Sequence, residues 1–176
     1  MTKKNPTYIF ESVSIKSINV DDQLTNFYWS VSADSLQQSI KEVGVINPVT
    51  LIPVDNGFQI VCGHRRVKIS SQLQTKEIPA RILGLAPSDE TMLMLNLSEN
   101  QLHRHYSDIE KGLILSKLSE VDVSANRIIE KYMPLVNLEQ SKKLLDDYLR
   151  INRFTIEIQT LLHEMNIPLR IFSVFF

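Results

Sequence analysis

The sequence predicts an α+β fold, a small mixed sheet with helices over residues 8–102 followed by an all-helical domain over 103–176, with residues 1–7 a flexible N-terminus. Three observations carry that reading. Strand-like and helix-like spacings alternate up to Leu83, a tight-turn sequence separates two β-branched runs, and no strand pattern recurs after Ser107.

Taken in order, YIFESVSIKSI mixes β-branched and aromatic residues in rough alternation and is expected as the first strand. Ser32 or Asp34 caps a helix in which Leu36, Ile40 and Val43 recur at helical spacing, and Gly44 closes it. VTLIPV and FQIVC flank Asp55-Asn56-Gly57, a sequence that supplies the positive φ angles a tight hairpin requires. The second hairpin strand runs into Gly63-His64-Arg65-Arg66. A helix over VKISSQLQ follows, and IPARIL returns as a strand. Pro87 and Ser88 open the next helix, with Asp89 and Glu90 in the first turn where they complement its dipole. Four further helices are expected at about Ser107 to Leu118, Ser124 to Met133, Leu138 to Ile151 and Thr155 to Met165. The polar stretch Gln101 to Tyr106 separates the mixed part from the helical part.

Composition narrows the function classes. Of 176 residues, 43% are hydrophobic, and 19 Lys and Arg stand against 20 Asp and Glu. The chain can cover a core, but its surface as a whole is not a glove for nucleic acid, so any anion site must be local. The single cysteine, Cys62, excludes an internal disulfide framework and a cysteine-rich zinc site, and is read as a small buried hydrophobe. No signal-peptide core and no apolar run of membrane-spanning length is visible, so a cytoplasmic protein with no membrane partner is expected. The C-terminal Ile171, Phe172, Val174, Phe175 and Phe176 need cover. Packing on the preceding helices, an oligomer contact and truncation of a longer chain each account for them.

The chemistry concentrates at one turn. A glycine between a buried strand and a helix allows a sharp bend and presents N–H groups at the helix N-terminus, where negative charge is favoured. Arg65 and Arg66 add guanidinium groups suited to bidentate phosphate contact, and His64 adds a donor that titrates near neutral pH. Lys68 and Arg81 are near in sequence. Basic residues oppose a helix dipole at this end, so their presence argues for an anionic ligand over a solvated helix start. A second cluster, Glu99-Asn100, offers oxygen ligands to a hard cation such as Mg²⁺ and equally fits a helix-end cap. His103-Arg104-His105 extends the positive lining or forms a solvated joint.

In the helical part, Val123 to Met133 and Leu138 to Ile151 fit the supporting and recognition helices of a helix-turn-helix. Leu138, Leu144, Leu145, Tyr148 and Leu149 would form the buried side of the second helix, leaving Ser141, Lys142 and Lys143 exposed towards DNA. Asp146, Asp147, Glu139 and Glu130 dilute the positive field, and MPLVN is a long turn without glycine. A helical bundle that positions subunits is the plainer reading.

LQQSIKEVGVINPVTL, IVCGHRRVKISSQLQTKEIPARI and SENQLHRHYSDIEKG, in that order, resemble three boxes of the ParB amino-terminal domain, over roughly Ser35 to Glu110. The resemblance implies the mixed sheet that ParB shares with sulfiredoxin. It also implies a nucleoside triphosphate pocket taking CTP with Mg²⁺, in which Gly63, His64, Arg65 and Arg66 contact phosphate. Glu99 and Asn100 would lie near the triphosphate and metal, Gly44 and Asn47-Pro48 would shape the nucleotide-facing loop, and Arg104 would stand in for a displaced family arginine. Implied partners are DNA, a second copy of the chain and a partition ATPase, with nucleoid association where DNA is bound.

The chain departs from the family pattern at His64, where a glutamate is usual, and at His103, where an arginine is expected. The function implied is a CTP-gated DNA-binding protein of partition or transcription-regulator type. The alternatives are an enzyme on the same scaffold, a slow CTP hydrolase, nuclease or phosphotransferase with His64 or Glu99 as catalytic candidates, and a nucleotide-free regulatory module. No acidic pair precedes Gly63 to support a nuclease. Sulfiredoxin's reactive cysteine would fall at Gly63, one position after Cys62.

Overall fold

The computed structural model describes residues 7–29, 34–84, 87–101 and 105–172. They form two compact units. Described residues of Met1–Asn26 and Ser32–Asn96 make the first, and those of Phe27–Val31 and Leu97–Phe176 the second. Residues 1–6, Ser32, His103, Arg104, Val174, Phe175 and Phe176, which figure in the expectations above, lie outside the described residues.

The first unit is built on a four-stranded mixed sheet of order β1-β4-β2-β3, with β1 at Tyr8–Ser14, β2 at Val49–Val54, β3 at Gly57–Cys62 and β4 at Glu77–Leu83. β1 and β4 run antiparallel, as do β2 and β3, while β2 lies parallel to β4 with Leu51 opposite Ile82. The hairpin closes with Val54 opposite Gly57, leaving Asp55 and Asn56 as the turn. The left-handed backbone falls on Gly57 (φ 131°), and neither Asp55 nor Asn56 is among the residues that carry one. Position 57 also admits no side chain, because a Cβ there would lie 2.1 Å from the Ser17 carbonyl oxygen.

Side-chain alternation along the strands fills both faces. Val13, Leu51, Ile60, Ile78, Ala80 and Ile82 join Val67 of helix α2 (His64–Gln72) in one cluster. Helix α1 (Asp34–Val43) packs on α2 through Ile40 and Ile69. Ile52, Val61, Cys62 and Leu83 form the second cluster with Met92 of helix α3 (Asp89–Asn100). Cys62 is thus a buried apolar member of the core. Asn96 closes this side. Its Nδ2 donates to the carbonyls of Thr25 (3.0 Å) and Val61 (2.6 Å), and the Thr25 hydroxyl donates to the Ile60 carbonyl (2.8 Å).

The second unit is helical. Ser107 caps α4 (Asp108–Glu120) through a capping box. Its Oγ accepts from Glu110 N at 3.2 Å, and Glu110 Oε2 accepts from Ser107 N at 3.1 Å. Residues Phe27–Val31 belong here, because Glu110 Oε1 accepts from Trp29 N (3.4 Å) and Trp29 Nε1 donates to Thr160 Oγ1 (3.2 Å). Asp108 joins three elements. It accepts from Tyr148 OH (2.7 Å), Leu169 N (2.7 Å) and Lys111 Nζ (3.1 Å).

Beyond α4, α5 (Ala125–Arg127) continues as a π-turn over Ile128–Tyr132 and a 3₁₀ turn over Pro134–Val136. Helix α6 is Lys142–Ile151, α7 is Ile156–Glu164 and α8 is Leu169–Phe172.

Three local differences from expectation have physical reasons. The turn after Met133 needs no glycine, because Asn137 adopts the left-handed conformation (φ 57°) that asparagine tolerates. Helix α6 starts at Lys142 instead of Leu138, since Ser141 is extended and uses its hydroxyl to accept from Leu144 N at 3.2 Å. Its buried side is Leu145, Tyr148 and Ile151, with Leu138, Leu144 and Leu149 only half-buried. The short α8 was not legible from periodicity, since four residues make barely one turn.

Candidate functional site

Local sequence dictates the turn after β3. Cys62 ends a buried strand, and the next residue must reverse direction into α2. Gly63 does so in the left-handed region, at φ 102° and ψ 23°. A side chain is excluded there as well: a Cβ at position 63 would meet Val49 Cγ1 at 2.8 Å and the Arg66 guanidinium at 3.1 Å. Gly63 has no side chain with which to cap α2, and the first turn of the helix contains no acid. The partial positive charge at this end is therefore joined by two arginines and a histidine without an internal counter-charge in the turn.

His64, Arg65 and Arg66 are each half-buried, whereas Lys68 is exposed. Arg66 reaches across to the loop between α1 and β2, where Nη1 donates to the carbonyls of Asn47 (2.5 Å) and Pro48 (2.9 Å). That loop begins at Gly44 (φ 76°), and Asn47 is exposed. Gly44, Asn47, Gly63 and Arg66 are thus assembled within the first unit. Arg81 is engaged on the sheet. Its Nε donates to Thr50 Oγ1 at 2.6 Å, and its guanidinium carbon lies 5.6 Å from the centre of the Tyr8 ring.

Glu99 and Asn100 are the last two residues of α3, half-buried, and group with the second unit. Arg104 lies outside the described residues. Among the described residues no three His, Cys, Asp or Glu side chains gather as a protein-built metal cage would require. A Mg²⁺ ion carried by a triphosphate needs only one or two carboxylates, and Glu99 can supply one. At the start of α6, Lys142 and Lys143 are exposed. Lys142 pairs with Asp146 at 2.7 Å, an exposed ion pair of little net strength, while the Ser141 hydroxyl serves as the helix cap.

What sequence reasoning missed is the pair of acceptors for Arg66, because backbone carbonyls carry no residue signature. The only available signal was Asn47-Pro48 in a loop joining two elements that flank the turn.

Residues 3–101 match the family model of the ParB N-terminal domain. The chain belongs to that family. Among ParB relatives, a probable plasmid-partitioning protein ParB of Thermus thermophilus is 33% identical over 88 residues, covering 49% of this chain and 29% of its own. A probable chromosome-partitioning protein ParB of Coxiella burnetii is 26% identical over 132 residues, covering 74% of this chain and 43% of its own. The chain therefore spans less than half the length of these ParB relatives.

A crystal structure of the C-terminally truncated ParB from Caulobacter crescentus, complexed to the centromeric parS site, superposes with a TM-score of 0.51 at 16% identity. The match covers 90% of this chain and 80% of that one. This likeness supports the ParB fold and the α+β class. Among the described residues no helix is long and apolar enough to cross a membrane.

Proposed function

We propose that this chain is the nucleotide-gated, DNA-binding part of a ParB-type partition or regulatory protein, with CTP as its ligand. The observation that carries the reading is the Gly63 turn, where a left-handed glycine leads into the start of α2, whose first residues are His64, Arg65 and Arg66 and whose first turn contains no acid. Phosphate chemistry suits such a place, since helix N–H groups and guanidinium forks both favour a multiply charged oxyanion.

In this reading Arg65 and His64 contact phosphates, Gly44 and Asn47 border the nucleotide, and Glu99 and Asn100 serve the triphosphate and its Mg²⁺, with Arg104 adding charge. Membership of the ParB N-terminal domain family supports CTP over an unspecified anion. DNA is engaged by the start of α6, where Ser141, Lys142 and Lys143 meet phosphates or base edges. The capped helix that follows the left-handed turn at Asn137 supports that assignment. The protein works as a homodimer in the cytoplasm, together with a partition ATPase. Nucleotide binding selects between open and closed arrangements of the dimer.

Isothermal titration with the four ribonucleoside triphosphates and Mg²⁺ tests the reading. CTP is expected to bind saturably and in preference to the others. Arg65→Ala is expected to weaken it by about 30- to 100-fold, the worth of a charge-assisted bidentate contact. Absence of heat with every triphosphate would remove the nucleotide from the account. For DNA, a mobility shift that weakens steeply with salt, and weakens further in Lys142→Ala/Lys143→Ala, is expected.

A further inference from the structure

At the Gly63 turn the Arg66 guanidinium takes hold of the backbone of a neighbouring loop. Arg66 Nη1 carries two hydrogens, and both are used, one on the Asn47 carbonyl at 2.5 Å and one on the Pro48 carbonyl at 2.9 Å. Its Nη2 lies 3.1 Å from where a Cβ on residue 63 would be, so the guanidinium rests over the glycine. The same glycine is closed in from the other side by Val49 Cγ1 at 2.8 Å, and Val49 follows Pro48 directly as the first residue of β2. Three pieces of chain therefore meet at one guanidinium: the start of α2, the left-handed glycine and the end of the loop between α1 and β2.

The loop needs such a hold. Gly44 opens it with a left-handed backbone and nothing within 4 Å of the position a Cβ would take, and both Ile46 (74%) and Asn47 are exposed. Val45 is its partly buried anchor, packed against the two core clusters on the α1 and α2 side of the sheet. Between Val45 and Val49, the Arg66 hydrogen bonds tie down the peptide carbonyls of residues 47 and 48.

We propose that Arg66 is a positioning residue, one that fixes the Gly44–Pro48 loop against the anion turn, so that its influence on ligand affinity passes through the loop, while Arg65 is the arginine that meets phosphate directly. The proposal rests on the nucleotide reading above for its second half only. The clamp itself exists without ligand.

The two halves are tested separately on the full chain. In ligand-free protein, hydrogen exchange at the amides of Val45, Ile46 and Asn47 is expected to rise by about tenfold or more in Arg66→Ala. That is the loss of charge-assisted hydrogen bonds read as local opening. Amides of β4 serve as the internal control and stay unchanged. Arg66→Met, which keeps an apolar stem over Gly63, shows the same local rise should the alanine variant unfold. Unchanged exchange at residues 45–47 in both variants would overturn the clamp.

With ligand, the affinities of CTP, CDP and CMP are compared. Arg65→Ala is expected to lose most for CTP and least for CMP, because its contact is with phosphate charge. Arg66→Ala is expected to lose the same factor for all three. A loss in Arg66→Ala that grows with phosphate number would overturn the indirect role. Failure of the wild-type chain to bind any of the three would instead sink the nucleotide reading and leave the exchange result standing.

Discussion

Gly63 and Val49 are fitted so closely that a Cβ on residue 63 would lie 2.8 Å from Val49 Cγ1, inside any real carbon contact. Val49 is itself fully buried at the start of β2 and cannot withdraw without disturbing the sheet. With φ at 102°, the glycine is required twice over, once by backbone conformation and once by space.

Gly63→Ala is therefore expected to destabilise the first unit by about 2–4 kcal/mol, combining left-handed strain with overpacking. Urea denaturation measures it. Adding Val49→Ala should not restore the wild-type midpoint, because the second change removes the clash but leaves the strain and opens a cavity.

Asn96 supplies one amide group to two buried carbonyls, those of Thr25 and Val61. Asn96→Leu leaves both acceptors without that donor and is expected to cost about 2–3 kcal/mol. Thr25→Val removes a single hydroxyl donor from the Ile60 carbonyl and is expected to cost about 1 kcal/mol. Equal losses in the two variants would contradict the assignment of Asn96 as the stronger tie.

In the helical unit, burial pushes the Asp108 carboxyl up, but donation from Leu169 N, Tyr148 OH and Lys111 more than offsets this and holds it below its ordinary 3.8. Burial and the Asp108 carboxylate together push the Tyr148 phenol upward. A carboxyl lowered in the folded state contributes stability that is complete above its unfolded pKa. That contribution is lost as pH falls through the folded value. Unfolding free energy should thus decline as pH falls through and below the ordinary carboxylate range, and Asp108→Asn should flatten that decline. Tyr148→Phe should raise the Asp108 titration midpoint towards the ordinary value, which side-chain carboxyl NMR reads directly. An unshifted midpoint would show that the hydrogen bond does not set it.

Much of this was legible in the residues. β-Branched and aromatic runs located the four strands, the Asp55-Asn56-Gly57 turn located the hairpin, and helical spacing placed a helix from about Ser107, where α4 begins. Periodicity is a local property and served where the structure is locally determined. It failed at Leu138, whose apolar side chain suggested helix, because the Ser141 cap decides where α6 begins. It gave no hint that Phe27–Val31 groups with the helices, since that follows from the Trp29 contacts with Glu110 and Thr160, both distant in sequence. The Gly63 turn, with its glycine followed by a histidine and two arginines, stood out from residue types alone. The Arg66 hold on two carbonyls was not, because a carbonyl looks the same under every side chain.

The central claim is that the turn after β3 receives the phosphates of a nucleotide, and amide NMR during a CTP titration with Mg²⁺ reads it at the atoms concerned. The largest and saturable shifts are expected at the amides of Gly63, His64, Arg65 and Arg66, and in Arg65→Ala they should need about 30- to 100-fold more CTP to appear. Shifts confined to other parts of the chain, or none at these four amides at saturating CTP, would contradict the claim.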